Sequence, residues 1–377
     1  MRIQTMMKKP FSLFLLWILV GFSSYGQAPT QAYLDYMNGL ESYVQNDLYG
    51  KVAAVLYDVD DLPPAGDYID FVTQIKKELE EYYQKNSVGL KEEEKKNARI
   101  FTNTMLVQLG DLYFDRGQEL DTSEKLLFLE RFFGETGLES SISELSDDLA
   151  RSLMMTVHTA LGIPFGMPNE QVGAFVQELE EPKKEMFLAA LIQNDMLMLS
   201  GGYDVSKFQI EGFKSTYPQS VYIDNLDNGL LSIEKLRAGA QVENFSFVDL
   251  EGNQVSLTDF KDKIIYLDLW ASWCGPCINT FRTKTPEFES KLREKEDVVL
   301  MYISIDEKEE PWRNYLSKNP MRGVHLFAGK GFQAEIMQYF KVWGIPRYLI
   351  IGKDNKIIDV NAPRPGDEAF EVLSKIQ

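Results

Sequence analysis

Two cysteines occur in 377 residues, and only two residues separate them, in the stretch Leu267-Asp268-Leu269-Trp270-Ala271-Ser272-Trp273-Cys274-Gly275-Pro276-Cys277. An apolar run beginning at Ile264 leads into them, with the β-branched and aromatic residues that suit a buried strand. A segment of helical pattern follows over 278–293. The pair is therefore expected where a strand ends and a helix begins. A thiol at a helix N-terminus lies at the positive end of the macrodipole, beside backbone N–H groups that have no intrahelical partner. Both effects favour the thiolate, which is the reactive species. The arrangement predicts thiol–disulfide exchange. Half of a zinc site would use the same C-x-x-C spacing, but the sequence offers no second ligand pair, and its two histidines, His158 and His325, have no ligand spacing. No metal and no cofactor are expected beyond a redox-active Cys274-Cys277 disulfide.

Residues 1–26 read as a secretory signal peptide. Arg2, Lys8 and Lys9 form its charged region, 11–22 is apolar, and Ser24-Tyr25-Gly26 supplies small residues for cleavage near Gly26. The apolar run is short for a membrane span, with an uncleaved anchor as the alternative. No cysteine follows the run, so lipid attachment is not expected. The implied location is the periplasm. Structural disulfides are usual in an oxidising compartment, yet a chain of this size buries enough core to need no staple. One close pair is better explained by reactivity than by stability.

Charge divides the remainder. The sequence carries a net −18. Residues 27–236 hold 17 Lys and Arg against 36 Asp and Glu, whereas 237–377 hold 19 against 21. The expected organisation is thus a signal peptide (1–26), an acidic helical domain (27–236) and a second domain (237–377). The negative sign argues against nucleic acid or an anionic membrane surface as partner.

Through 27–236 apolar residues recur at helical spacing: Tyr68, Ile69, Val72, Ile75 and Leu79; Met105, Leu106, Leu109 and Tyr113; Leu126, Leu127, Leu129 and Phe132; Leu145, Leu149, Leu153 and Val157. Breakers such as Pro63-Pro64 and Gly201-Gly202 separate them. The 121–124 and 140–144 stretches read as N-caps. Six to eight helices packed as hairpins are expected, with no fixed repeat. His158 and the methionines of 186–198 read as core, and Glu92-Glu93-Glu94-Lys95-Lys96 as a solvated face. No chemistry is assigned to this all-α region.

From Gly239 the pattern changes. Strands are expected at 244–250, 254–257, 264–270, 298–305 and 324–327, with a hairpin of 348–351 and 356–360. Helices are expected after the cysteines, at 309–317, at 332–340 and at 368–376. This alternation implies an α/β domain with a central mixed sheet and helices on both faces.

With Trp270-Ala271-Ser272-Trp273-Cys274-Gly275-Pro276-Cys277, the hairpin around Gly252 and Gly344-Ile345-Pro346, the C-terminal third resembles the thioredoxin fold and, within it, the exported TlpA/ResA-type branch. The resemblance implies a protein thiol–disulfide oxidoreductase. It implies Cys274 as the exposed nucleophile, Cys277 as the buried resolving thiol, and a cis Pro346 facing them, with Ile345 presenting its backbone to an extended substrate. Trp273, Gly275 and Pro276 would shape the contact surface, with a core role as the alternative for Trp273. Asp268 stands where thioredoxin has its buried aspartate, which implies that it takes the proton of Cys277; capping a backbone group is the alternative. Many exported relatives carry asparagine there. ResA-type members have an acid three positions after the second cysteine, where this chain has Thr280, so their acid-assisted mechanism is not carried over. Arg347 either points at the cysteines, lowering the Cys274 pKa or selecting acidic partners, or is an ordinary surface charge.

Gly-Pro between the cysteines resembles thioredoxin more than the oxidase type, which predicts a reductant of protein disulfides. It would be recharged by a membrane electron donor and act in cytochrome c maturation or redox homeostasis. A disulfide oxidase or isomerase, or a scaffold whose helical domain binds clients, are the alternatives.

Overall fold

The computed structural model describes residues 28–117, 119–163 and 170–376. The signal-peptide reading of 1–26 lies outside them. The chain separates into two compact units, with the seam between Ser141 and Ile142.

The first unit is helical. Helix α1 (Gln31–Tyr43) runs through a π-turn (Val44–Leu48) into α2 (Tyr49–Leu56), and α3 (Ala65–Asn86), α4 (Glu92–Arg116), α5 (Thr122–Glu135) and α6 (Leu138–Ser141) follow. The periodic residues behave as their spacing requires. Tyr68, Ile69, Val72, Ile75 and Leu79 form the buried stripe of α3, and Met105, Leu106, Leu109 and Tyr113 that of α4. Their rings meet in one aromatic cluster, with Tyr113 and Phe128 stacked at 4.2 Å and Tyr68 and Tyr113 at 5.0 Å. The buried Tyr68 hydroxyl donates to the Leu109 carbonyl at 2.7 Å, so its polar end is satisfied. Helices α4 and α5 approach closely at Gly110, where a Cβ would lie 2.9 Å from the Phe132 ring. Asp121 caps α5 through a capping box with Glu124.

Some expectations fail here for identifiable reasons. Leu127 is exposed, one position off the buried stripe of α5. Glu94 leaves the solvated cluster: it is buried, and its carboxylate accepts from the Thr30 backbone and hydroxyl and from the Lys91 N–H, tying the start of α1 to that of α4.

The second unit begins with helices α7 (Asp147–Leu161), α8 (Glu170–Glu178), α9 (Lys183–Met198), α10 (Gly202–Thr216) and α11 (Ile223–Ile233). Ser146, not the 140–144 stretch, caps α7; its hydroxyl accepts from the Leu149 N–H at 3.1 Å. Among the described residues there are eleven α-helical segments before the sheet: the periodic stretches form α3, α4, α5 and α7, and further helices such as α8, α10 and α11 form where no apolar period was read. His158, Met186 and Met196 are buried, as core residues are. No helix among the described residues is long and apolar enough to cross a membrane.

The same unit holds a seven-stranded mixed sheet of order β2-β1-β5-β4-β3-β6-β7. The strands are β1 (Ser246–Val248), β2 (Gln254–Ser256), β3 (Ile264–Trp270), β4 (Val298–Ser304), β5 (Val324–Phe327), β6 (Arg347–Gly352) and β7 (Lys356–Asp359). β3, β4 and β5 are parallel, and β6 returns antiparallel beside β3. Helices α12 (Gly275–Thr283), α13 (Thr285–Lys291), α14 (Glu309–Lys318), α15 (Glu335–Tyr339) and α16 (Asp367–Lys375) connect or follow the strands. Every residue of β3 is buried, which explains its unbroken apolar run: a central strand covered on both faces has no solvent side to alternate towards. Asp268 is the exception in chemistry though not in burial.

Candidate active site

The end of β3 sets the geometry. Its last residue, Trp270, is fully buried with its ring edge-on to Phe281 of α12 at 5.0 Å. Beyond it the chain turns through 271–273 into α12. Asp306, just past β4, holds this turn. One of its carboxylate oxygens accepts from the Ser272 N–H at 2.9 Å and the Ser304 hydroxyl at 2.7 Å, and the other from the Ser272 hydroxyl at 2.7 Å. Sequence reasoning passed over this residue, although an acid two positions past a largely apolar strand is a signal. Asp306→Ala would leave the Ser272 N–H and two hydroxyls without their carboxylate. We expect a loss of about 3 kcal/mol, read as a lowered denaturation midpoint at unchanged m-value.

Cys274 occupies the N-cap of α12, and its sulfur accepts from the Cys277 N–H at 3.2 Å. The two are joined in a disulfide with Cα atoms 5.3 Å apart, an ordinary spacing for such a bond. Pro276 sits in the first turn, where a missing N–H leaves no bond unmade. One expectation needs correcting. In this oxidised form Cys274 is only 4% exposed, because its sulfur is turned into the helix N-terminus. The exposed surface comes from its neighbours: Gly275 and Pro276 are exposed, and Trp273 is 57% exposed with its ring 6.2 Å from Phe332. Trp273 is thus no core residue. Cys277 is wholly buried.

Asp268 lies below the pair. Positions alternate along a strand, so Tyr266, Asp268 and Trp270 share one face of β3. Tyr266 packs on Phe288 of α13 at 5.0 Å and Trp270 on Phe281 of α12, which makes this the face covered by the cysteine-bearing helix. The register sets Tyr302 and Tyr348 on either side of Asp268, and His325 stacks on Tyr302 at 5.0 Å. Asp268 is 1% exposed, and neither carboxylate oxygen has a hydrogen-bond donor among the described residues. That removes the alternative of a backbone cap. Burial pushes its carboxyl well above the usual carboxylate range, with Arg364 opposing only in part. Burial likewise raises the Tyr348 hydroxyl; Asp268 adds to the shift, and Thr280, one helical turn beyond Cys277, opposes it. The position where the resemblance would have had an acid thus lies against Tyr348.

Ile345 and Pro346 are joined by a cis peptide bond, as expected, and both are half-buried. Pro346 immediately precedes β6, whose first residue pairs with Leu269 near the end of β3. The proline loop and the cysteine turn therefore emerge at the same end of the sheet. Arg347 follows neither of its expected readings. Its guanidinium donates to the Val360 carbonyl at 3.2 Å and to the Met198 carbonyl, at the C-terminal end of α9, at 3.1 Å. Burial holds it down at about 10, with Asp359 acting in the opposite direction, so it stays charged at neutral pH. A cation at the last carbonyls of a helix meets the negative end of its dipole. Trp343, two residues before Ile345, is 57% exposed and was not singled out from the sequence.

This site is a disulfide at a helix N-terminus, above a buried acid and beside a cis proline. Residues 262–357 match a family model described as thioredoxin-like. The thiol-disulfide oxidoreductase ResA of Bacillus thuringiensis is 30% identical over 144 residues, covering 38% of this chain and 80% of the relative. ResA of Bacillus subtilis is 22% identical over 127 residues, 34% of this chain and 68% of the relative. A crystal structure from Bacteroides vulgatus, described as a candidate thiol-disulfide oxidoreductase, is 34% identical, covering 37% of this chain and 96% of that one, with a TM-score of 0.33. The family model covers β3 to β6 with the cysteine turn and the cis proline, and the chain belongs to the thioredoxin superfamily, as a ResA-like thiol–disulfide oxidoreductase.

Proposed function

We propose that this enzyme is exported and reduces disulfides of proteins in the periplasm. The reduced enzyme's Cys274 thiolate attacks one sulfur of a substrate disulfide. A mixed disulfide forms, and the other substrate sulfur leaves as a thiolate that takes up a proton. The Cys277 thiol then gives its proton to the Asp268 carboxylate and attacks the Cys274 sulfur. The substrate's second sulfur is released, and the enzyme is left as the disulfide with Asp268 protonated. The observation that carries this reading is the closed Cys274-Cys277 disulfide at the N-terminus of α12, the helix that covers the face of β3 holding Asp268, whose carboxyl burial pushes well above the usual carboxylate range. Trp273, Gly275, Pro276 and the Ile345 backbone form the substrate's contact surface. A membrane electron donor restores the dithiol, and components of cytochrome c maturation or mispaired proteins are the substrates.

The direction rests on Gly275-Pro276, the thioredoxin-like pair, for which a potential of roughly −270 mV is expected, against about −120 mV for the oxidase type. Insulin reduction driven by dithiothreitol tests the activity, and equilibration with glutathione tests the direction. A chain that oxidises reduced substrate but fails to reduce insulin would reverse the assignment.

A further inference from the structure

Side chains and a carbonyl of α7, α9 and α11 meet the segment 339–347, which ends in the cis proline and Arg347. The Arg151 guanidinium of α7 lies 5.8 Å from the Trp343 ring centroid, and its charge is paired with Asp148 at 3.3 Å. The Lys341 ammonium donates to the Ser232 hydroxyl of α11 at 2.6 Å and is attracted by Asp147, at the start of α7. Lys235, just past α11, sets its ammonium 4.4 Å from the Tyr339 ring centroid. Arg347 completes the set through the Met198 carbonyl. These contacts alternate along the segment and include both sides of Ile345-Pro346. Lys341 has a φ of 49°, a left-handed conformation that a lysine seldom adopts without a partner to hold it.

We propose that helices α7, α9 and α11 act as a splint for the proline loop, and that Arg151 is a positioning residue that orients Trp343 as part of the protein-substrate surface. Trp343 and Trp273 are the two exposed tryptophans on the loops that leave this end of the sheet. An exposed indole gains contact energy only if its rotamer is held before the partner arrives, because ordering it on binding costs affinity. A guanidinium beside its ring, itself held by Asp148 and packed against α7, supplies that order. The partner is an extended segment of a disulfide-bearing protein, and an apolar side chain beside its cysteine would rest on the indole. A small disulfide reaches the sulfurs without touching Trp343. The inference rests on protein disulfides being the substrates.

The test compares insulin with hydroxyethyl disulfide as substrates of the full chain. Arg151→Ala is expected to raise the KM for insulin about fivefold. Its kcat, its rate with hydroxyethyl disulfide and the pH profile of Cys274 alkylation should stay within twofold. Arg151→Lys, which keeps a cation by the ring, should recover most of the loss. Trp343→Ala should raise the insulin KM by a similar factor, and the double variant no further than either single one. Lys235→Ala, on an exposed turn, is the second probe should Arg151→Ala not fold, with an insulin KM about threefold higher. An unchanged insulin KM would overturn the splint, as would parallel losses on both substrates or multiplying factors in the double variant. Wild-type protein inert towards both disulfides would instead overturn the function proposed above.

Discussion

Cys277→Ser leaves an enzyme that reacts once and stops. Cys274 still attacks, but the mixed disulfide has no second sulfur to release it. Turnover of insulin should fall by roughly 10³-fold or more, since the nucleophile and its resolving partner act as one unit. Covalent adducts that run apart from the free chain on non-reducing gels, and collapse on reduction, should accumulate through Cys274. Cys274→Ser should lose the same activity yet form none of these adducts. The asymmetry follows from position: Cys274 caps α12 beside exposed Gly275 and Pro276, whereas Cys277 is closed in beneath. Adducts that form equally well in Cys274→Ser would exchange the two roles. Mass spectrometry of the trapped partners would name the substrates directly.

Asp268→Asn carries the other large effect, and it divides activity from stability. Turnover at pH 7 should drop by on the order of 10- to 100-fold, because the Cys277 proton loses its acceptor. The residual rate should climb with pH as that thiol ionises into solvent. Stability should move the other way. Burial raises the folded-state pKa of Asp268, so the folded protein retains a proton that the unfolded chain releases. Below the ordinary carboxylate pKa of about 3.9 both states are neutral and there is no penalty. As pH rises above it, the folded state loses about 1.4 kcal/mol per pH unit until Asp268 itself ionises. The asparagine variant lacks this slope and should gain on the wild type in denaturant titrations from pH 4 towards neutrality. Equal slopes in the two proteins would mean that Asp268 is ionised in the oxidised form and would remove the proton-acceptor assignment.

What could be read from the sequence was what is local or periodic. The strand–turn–helix that carries Cys274, the helix faces through Tyr68 and Met105, and the positions of the strands along the chain each depend on residues within a few positions of one another. Asp268 was legible for the same reason, as an acid inside an apolar run. Arg347 was not. Its partner is a backbone carbonyl 149 residues away, and no pattern of side chains announces a carbonyl. Trp343 was passed over because a tryptophan in a loop carries no period, and its neighbour Arg151 belongs to another part of the chain. Asp306 needed the register of β3 beside β4 to bring Ser272 within reach. The cap at Ser146 was misplaced because several serines precede acids within seven residues, and local pattern ranks them alike.

The seam between Ser141 and Ile142 does not coincide with the change from helix to strand near Gly239. A gene fragment opened at the first strand would encode all seven strands and both cysteines, yet would lack the carbonyl that anchors Arg347 and the cation beside Trp343. On the splint proposal it would keep the disulfide and lose part of the surface that meets a protein substrate. On that proposal the minimal heritable unit of this enzyme starts some way upstream of its sheet. In shuffling, truncation or fusion, helices α7, α9 and α11 would then be expected to travel with the chemistry as part of it.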